Sequence, residues 1–258
     1  MQTEFTLNLS TVYHFLLVLA RVAGLIAMVP IPGITAGPDA SRIVLAVVLT
    51  VALLPAGSAP FLAAPTPSEL AGWIASEAAF GLTIGVAIAF LLEGLQAAAQ
   101  MIGLQAGYSF ASTIDPSTQA DTTTLQLMAQ LLAGSLFFAL GLDRQVIRVL
   151  ARSFQSIPQG GYALARPAAE SIARLGAGIF STGLRLALPV MALMILLDIA
   201  FAVLGRLHAQ LQVLSLAFAV KMLVALAFLA SVLALYPSVF ERAAGTTFST
   251  LLELLDHK

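Results

Sequence analysis

The chain has 258 residues, of which 59% are hydrophobic and 10% charged, and its 12 lysines and arginines against 13 aspartates and glutamates leave a net charge of −1. A soluble domain of this length carries about a quarter charged residues to solvate its outside, so an aqueous globular enzyme is all but excluded and a membrane protein is indicated. The charge balance removes a basic nucleic-acid footprint and a polybasic surface arm, and the lack of cysteine removes disulfide frameworks, thiolate metal sites and thiol catalysis.

The apolar runs are far longer than the roughly 10-residue alternating strands of a membrane barrel, and a helix needs about 20 residues to cross the hydrocarbon core. Only helices and closed barrels satisfy their backbone groups there, so the chain is read as all-α. The first run, Val12 to Ile31, is interrupted by Arg21. It is expected to be retained, because Met1 to Ser10 holds Glu4 and none of the basic residues a cleaved leader needs. The second, Ile43 to Leu54, is twelve residues long before Pro55, short for a span on its own. The third, Gly72 to Leu92, contains Glu77 and continues without a turn signal into a stretch rich in Gln and Ala. The fourth covers Leu125 to Leu142 and carries Gln126 and Gln130. The fifth, Leu175 to Leu204, holds Arg185, Pro189 and Asp198, and the sixth, Leu211 to Tyr236, is centred on Lys221. Connections are short and marked by Gly and Pro, so the chain reads as a single membrane domain, residues 1–258.

Arg144, Arg148, Arg152, Arg166 and Arg174 concentrate positive charge between the fourth and fifth runs, which should face the cytoplasm. With Arg42 also marking the inside, simple alternation of single spans fails. The conflict is resolved if Glu69 to Ala106, about 57 Å as one helix, is a bent hairpin or crosses obliquely. Pro189 likewise offers a kink or break in the long fifth segment.

Arg21, Glu77, Arg185, Asp198 and Lys221 fall inside apolar runs. Each would cost roughly 2.5 to 3.5 kcal/mol facing lipid at mid-membrane, so they are expected to be buried in protein or to face water. Snorkelling or pairing within a bundle explains such charges as well as a pathway does. Arg21 and Glu77, near their run centres, are the expected buried partners, although no spacing proves the pairing.

Between Glu93 and Gln130 the pattern changes. Gln96 and Gln100 share one helical face and Gln105 continues it, while Gly94, Gly103 and Gly107 keep the surface thin. Gly107 to Asp121 then reads Gly-Tyr-Ser-Phe-Ala-Ser-Thr-Ile-Asp-Pro-Ser-Thr-Gln-Ala-Asp, which cannot be a lipid-facing helix. Irregular polar backbone beside membrane-length helices is tolerated only where protein buries it or it lines a watery cavity, so a re-entrant loop, plug or filter is expected, against an ordinary exposed loop.

Other signals are weaker. Gly81 to Gly85 and Gly103 to Gly107 are GxxxG patterns that permit close helix approach. His14, His208 and His257 have no metal-ligand spacing, and the chain lacks GxxxxGK, HExxH and GxSxG, so no cofactor and no catalytic constellation are expected. Arg144, Arg148 and Arg152 form one stripe of an amphipathic helix suited to a membrane or partner surface. Phe240, Ala244, Phe248, Leu251 and Leu255 form the apolar face of another, interfacial or docked on a partner.

Four stretches in order carry a family resemblance: Arg21 to Leu25 leading to Pro30-Ile31-Pro32-Gly33, then Ile102 to Pro116, then Phe154-Gln155-Ser156-Ile157-Pro158, and Leu186-Ala187-Leu188-Pro189-Val190. Together they resemble the FliR family of type III secretion export-gate proteins, over nearly the whole chain. The most specific piece is the GxxxGxSFAxxxDP stretch. The resemblance implies a non-enzymatic subunit of the flagellar protein-export channel in the bacterial inner membrane, within the basal body. It implies bent helical hairpins packed with FliP-like and FliQ-like subunits into a multi-subunit helical gate, an FlhB-like associate, and unfolded proteins as cargo. Residues 1–60 would be a FliQ-like hairpin and 61–258 the FliP-like part, with 107–121 as the plug. Gly107, Tyr108, Ser109, Phe110, Ala111, Ser112, Ile114, Asp115 and Pro116 are then the expected plug and pore residues, and Gln96, Gln100, Gly103 and Gln105 the lining or packing ones. One departure is visible after the fifth run. Where the family reads Arg-Pro-Gln-Leu and Gly-Phe-Pro-Leu-Lys, this chain has Arg206-Leu207-His208-Ala209-Gln210-Leu211 and Ala217-Phe218-Ala219-Val220-Lys221, so Arg206 and Lys221 are kept and the Gly and both prolines are replaced. Arg206 joins the charges expected to be buried.

The alternative from another class is a small-solute secondary transporter using Arg185, Asp198 and Lys221 as coupling groups. Such folds commonly carry internal repeats, and no convincing repeat is present.

Overall fold

A computed structural model of the chain describes residues 9–29, 39–56, 65–108, 124–162, 166–207 and 213–256. Among the described residues the regular elements are all helical: α1 (Leu9–Met28), α2 (Asp39–Leu53), α3 (Pro67–Ala106), α4 (Thr124–Ala139), α5 (Leu142–Ser156), α6 (Arg166–Leu207), α7 (Val213–Val232) and α8 (Tyr236–Asp256). Short 3-10 turns follow α2 at Leu54–Ala56 and α7 at Leu233–Leu235. Four helical stretches, Leu9–Met28, Pro67–Ala106, Ala169–Leu207 and Ala217–Asp256, are long and apolar enough to cross a membrane, and the broken pair α4 and α5 makes a fifth if taken together. The chain is an all-α membrane protein.

The 40 residues of α3 form one uninterrupted helix, so of the two readings of 69–106, a bent hairpin or an oblique crossing, the hairpin is absent. Both ends explain why. At the start, Thr66 and Glu69 form a reciprocal capping box: the Thr66 amide donates to the Glu69 carboxylate at 2.8 Å and the Glu69 amide to the Thr66 hydroxyl at 3.4 Å, with Pro67 in the first helical position. At the other end the Tyr108 amide donates to the Gly103 carbonyl at 2.9 Å and the Gly107 amide to that of Leu104 at 3.3 Å. This is the Schellman closure, made possible by the positive φ of 88° at Gly107. At 1.5 Å per residue α3 is about 60 Å long, twice the hydrocarbon thickness.

Nor does Pro189 break α6, which runs through it from Arg166 to Leu207. The ring costs one backbone hydrogen bond, but Leu186, Ala187, Val190 and Met194 around it are buried and hold the helix in place. The break falls instead between α4 and α5, where Gly141 takes a φ of 65° and allows a broken span or re-entrant turn.

The chain forms two compact units, one of Met1–Phe90, Gly141–Leu175 and Thr246–Lys258, the other of Leu91–Leu140 and Gly176–Gly245. In the first, α1 packs with α2, and Leu17, Val18, Val22, Phe80, Ile84 and Leu150 are buried. Gly81 and Gly85 let α1 and α3 touch at the backbone: a Cβ on Gly81 would collide with the Arg21 carbonyl, and one on Gly85 would lie 2.7 Å from that of Leu25. α5 buries Val146, Val149, Leu150 and Phe154 and leaves Arg144, Arg148 and Arg152 exposed, as its stripe predicts. The second unit has a small core of Ala106, Met194 and Ala225 capped by Tyr108, Leu193, Leu197 and Val224. On α8 the expected apolar face, Phe240, Ala244, Phe248, Leu251 and Leu255, is buried.

Candidate functional site

Two polar centres sit among the membrane-length helices, one in each unit. In the first unit Arg21 on α1 and Glu77 on α3 form an ion pair, both side chains fully buried. The guanidinium donates through Nε to Glu77 Oε2 at 2.5 Å and through Nη2 to Oε1 at 3.0 Å, the bidentate fork that arginine offers a carboxylate. Nη1 donates to Ser153 Oγ at 2.9 Å and Nη2 also to the Ile157 carbonyl at 3.3 Å. Phe154 and Phe80 stack their rings on the guanidinium, with centroids 4.4 and 4.9 Å from Cζ. The Gly160 amide donates to Glu77 Oε1 at 2.8 Å.

That pair organises the turn after α5. Gly160, at a φ of 77°, lies against the Trp73 ring, where a Cβ would come within 2.5 Å. Tyr162 sets its ring edge-on to Phe80 at 4.8 Å, and its carbonyl accepts the Ser76 hydroxyl at 2.6 Å. His14 lies between Gln159 and the Leu54 carbonyl, 3.1 Å from each. Among the described residues every buried side-chain nitrogen and oxygen has a hydrogen-bond partner. The charges are therefore fully compensated and this centre is a structural keystone.

The second centre lies where α3 ends. Asp198 on α6 accepts Lys221 Nζ of α7 through Oδ1 at 2.7 Å and Gln105 Nε2 of α3 through Oδ2 at 3.2 Å. Beside it the Tyr108 hydroxyl donates to the Met222 carbonyl at 2.8 Å. Lys221 is 13% exposed and Asp198 46%. Gln96 is half-buried, hydrogen-bonded to Glu93 at 3.1 Å, while Gln100 is exposed and Gly103 buried. This Gln-bearing end of α3 leads directly into the 107–121 segment.

The expected site residues divide accordingly. Gly107 and Tyr108 are in place at the helix end, whereas Ser109, Phe110, Ala111, Ser112, Ile114, Asp115 and Pro116 lie outside the described residues. Burial was expected of six charges, and Arg21 and Glu77 are buried. Arg185, Asp198 and Arg206 are exposed on the single chain, and Lys221 is intermediate. Arg185 and Arg206 lie on α6 among outward apolar residues that include Phe180, Leu184, Leu188, Leu196 and Val203, whereas Asp198 and Lys221 are held by each other. Among the described residues no group of three or more His, Asp or Glu is placed to hold a metal ion.

Comparison with known proteins bears on what these centres serve. Residues 12–247 match the family model of bacterial export proteins, family 1. The chain belongs to that family. It is similar to the flagellar biosynthetic protein FliR of Escherichia coli K12, 29% identical over 238 residues that cover 92% of this chain and 90% of the relative. The FliR proteins of Pectobacterium carotovorum and Caulobacter vibrioides are each 28% identical, over 91% and 85% of this chain and 90% and 88% of their own lengths. Three of the four stretches that carry the resemblance meet the two centres: Arg21 and Phe154 build the first, and Gln105 and Tyr108 the second.

Several participants are not evident from the sequence. The partners of Arg21 other than Glu77 come from Ser153 and Ile157, more than a hundred residues away, and only the Phe-Gln-Ser-Ile-Pro stretch hints at them. The capping box at Thr66-Pro67-Ser68-Glu69, by contrast, is fully written in the sequence and places the start of α3.

Proposed function

We propose that this chain is a subunit of the flagellar type III export gate in the bacterial inner membrane, forming with FliP-like and FliQ-like subunits the channel through which unfolded proteins leave the cell. Residues 1–60 act as a FliQ-like hairpin, residues 61–258 as the FliP-like part, and an FlhB-like subunit associates with the gate. The 107–121 segment is the plug that closes the pore. The observation that carries this reading is the match to FliR relatives along nine-tenths of both chains. Three physical features support it. α3 is too long for an upright span and ends in a glycine cap where the polar segment begins. Its last turns carry Gln96, Gln100 and Gln105 and no charge of their own, with Gln100 exposed, an uncharged polar surface for an extended peptide. The outward faces of α2, α4 and α6 are strongly apolar, which suits neighbouring subunits as well as lipid.

Co-expression tests the assembly. A tagged copy is expected to retain FliP-like and FliQ-like chains in stoichiometric amounts through detergent purification. A stable monomer or symmetric oligomer that ignores those chains, and that binds or moves small solutes, would favour the transporter instead.

A further inference from the structure

We propose that one stripe of α6, from Arg185 to Arg206, is a lipid-facing surface: residues 186–205 cross the hydrocarbon, and the two guanidiniums bind the phosphates of opposite leaflets. This fixes which part of α6 lies in the bilayer, and it does not depend on the export-gate reading. The 42 residues of α6 are about 63 Å long at 1.5 Å each, twice the hydrocarbon thickness, so an upright α6 cannot lie wholly in the membrane.

Steps of three and four residues trace one face of a helix. From Arg185 such steps pass through Leu188, Ala192, Leu196, Ile199 and Val203 to Arg206, and all of these side chains are exposed. The opposite face holds Leu186, Ala187, Val190 and Met194, all buried, and the helix runs through Pro189 without a break. Among the described residues no carboxylate pairs with either arginine. Beyond Arg185 the same stripe turns polar at Ser181, also exposed.

Two features select a bilayer as the covering. The first is length. Arg185 and Arg206 stand about 32 Å apart along the axis, and the average membrane-helix tilt of about 20° brings this to about 30 Å, the hydrocarbon thickness. A protein partner imposes no such distance, whereas a bilayer separates its two polar layers by a fixed one. The second is charge. Between the arginines only Asp198 is ionisable, and it is held by Lys221 of α7 at 2.7 Å and Gln105 of α3 at 3.2 Å, so it enters the hydrocarbon as half of a neutral pair. Each arginine lays its methylene stem along the apolar stripe and lifts its guanidinium to the interface, where the planar fork takes two phosphate oxygens. Sliding α6 by three turns either way would carry an unpaired arginine to mid-membrane, where a charge is least tolerated.

The midpoint of the stripe falls between Ile195 and Leu196, with Leu188 and Val203 each about 11 Å from it on opposite sides. Leu188→Trp, Leu196→Trp and Val203→Trp, one at a time, are placed in the full-length chain, co-expressed with the rest of the export apparatus. The assembled complex is moved into vesicles of phosphatidylcholine brominated either at mid-chain or near the carboxyl end, and the parent, with Trp73 alone, supplies the background. Leu196→Trp is expected to lose more emission to the mid-chain bromines, and the other two to lose more to the shallow ones, to equal extents. Arg185→Gln is expected to carry Leu188→Trp toward the mid-chain bromines, and Arg206→Gln to do the same for Val203→Trp. A second measurement needs no tryptophan, because the chain has no cysteine: a membrane-impermeant maleimide is expected to label Ser181→Cys and to leave Leu196→Cys unlabelled. No quenching at any of the three positions would make the stripe a contact with a neighbouring subunit and overturn the proposal. So would a deepest position other than 196, or labelling of Leu196→Cys as fast as Ser181→Cys. A depth profile unchanged in both arginine variants would overturn the phosphate anchoring.

Discussion

Arg21→Met removes the centre of the first unit. The native guanidinium makes two bonds to Glu77, one to Ser153 Oγ and one to the Ile157 carbonyl. Met fills much of the space between Phe80 and Phe154, so lost volume is a minor part of the effect. The larger part is Glu77, which keeps only the Gly160 amide while fully buried. Breaking a buried pair from one side costs about 3 to 5 kcal/mol, or roughly 6 to 20 °C in melting temperature for a chain of this size. Arg21→Met with Glu77→Leu leaves no stranded charge. It strands the Gly160 amide, at about 1 to 3 kcal/mol, beside the Ile157 carbonyl that Arg21→Met alone already leaves without its guanidinium donor, and is expected to melt above either single variant. Trp73 is the only tryptophan and lies against Gly160, so its emission during a thermal ramp of the purified chain in detergent reads the unit directly. Single variants melting within about 2 °C of the parent, or a double variant no more stable than the singles, would refute the reasoning.

Gly81→Ala places a methyl group on the Arg21 carbonyl and is expected to cost about 1 to 3 kcal/mol as overpacking. Gly72→Ala meets nothing within 4 Å and is expected to be neutral or to gain about 1 kcal/mol of helix propensity. The same melts compare them. Gly107→Ala forces a side chain into a φ of 88° beside Phe218, at about 1 to 2 kcal/mol for the conformation alone, and proteolysis near residue 107 is expected to quicken. Thr66→Ala removes the α3 capping box, and amide exchange in the first turn of α3 is expected to rise in step with a loss of about 1 kcal/mol. Arg152→Ala breaks an ion pair to Asp256 whose two side chains are 52% and 62% exposed, and is expected to shift the melt by no more than about 1 kcal/mol.

The two glycine patterns show how far the sequence reaches. Gly81-xxx-Gly85 and Gly103-xxx-Gly107 have the same spacing, yet the first is a helix crossing against α1 and the second closes α3. The difference lies downstream: Val86 onward continues the apolar helix, while Gly107 is succeeded by a tyrosine and a polar run that cannot. Charge burial was legible where energy forbade alternatives, since Arg21 and Glu77 have no exposed side to retreat to. At Arg185 and Arg206, exposed among outward apolar residues of α6, the surroundings are set by whatever covers that face, which no local spacing encodes. Long-range partners were illegible for a geometric reason. Ser153 and Ile157 reach Arg21 only because α5 and its turn fold back on α3, which no local spacing encodes. The charge-based topology left 69–106 open between a hairpin and one oblique helix, although the capping box that starts α3 stood in plain view.

The most direct test of the account is the ion permeability of membranes carrying a fully assembled complex in which this chain lacks residues 107–121. A marked leak with assembly intact is the predicted result. An assembled complex as tight as the parent would contradict the claim that this segment closes the export path.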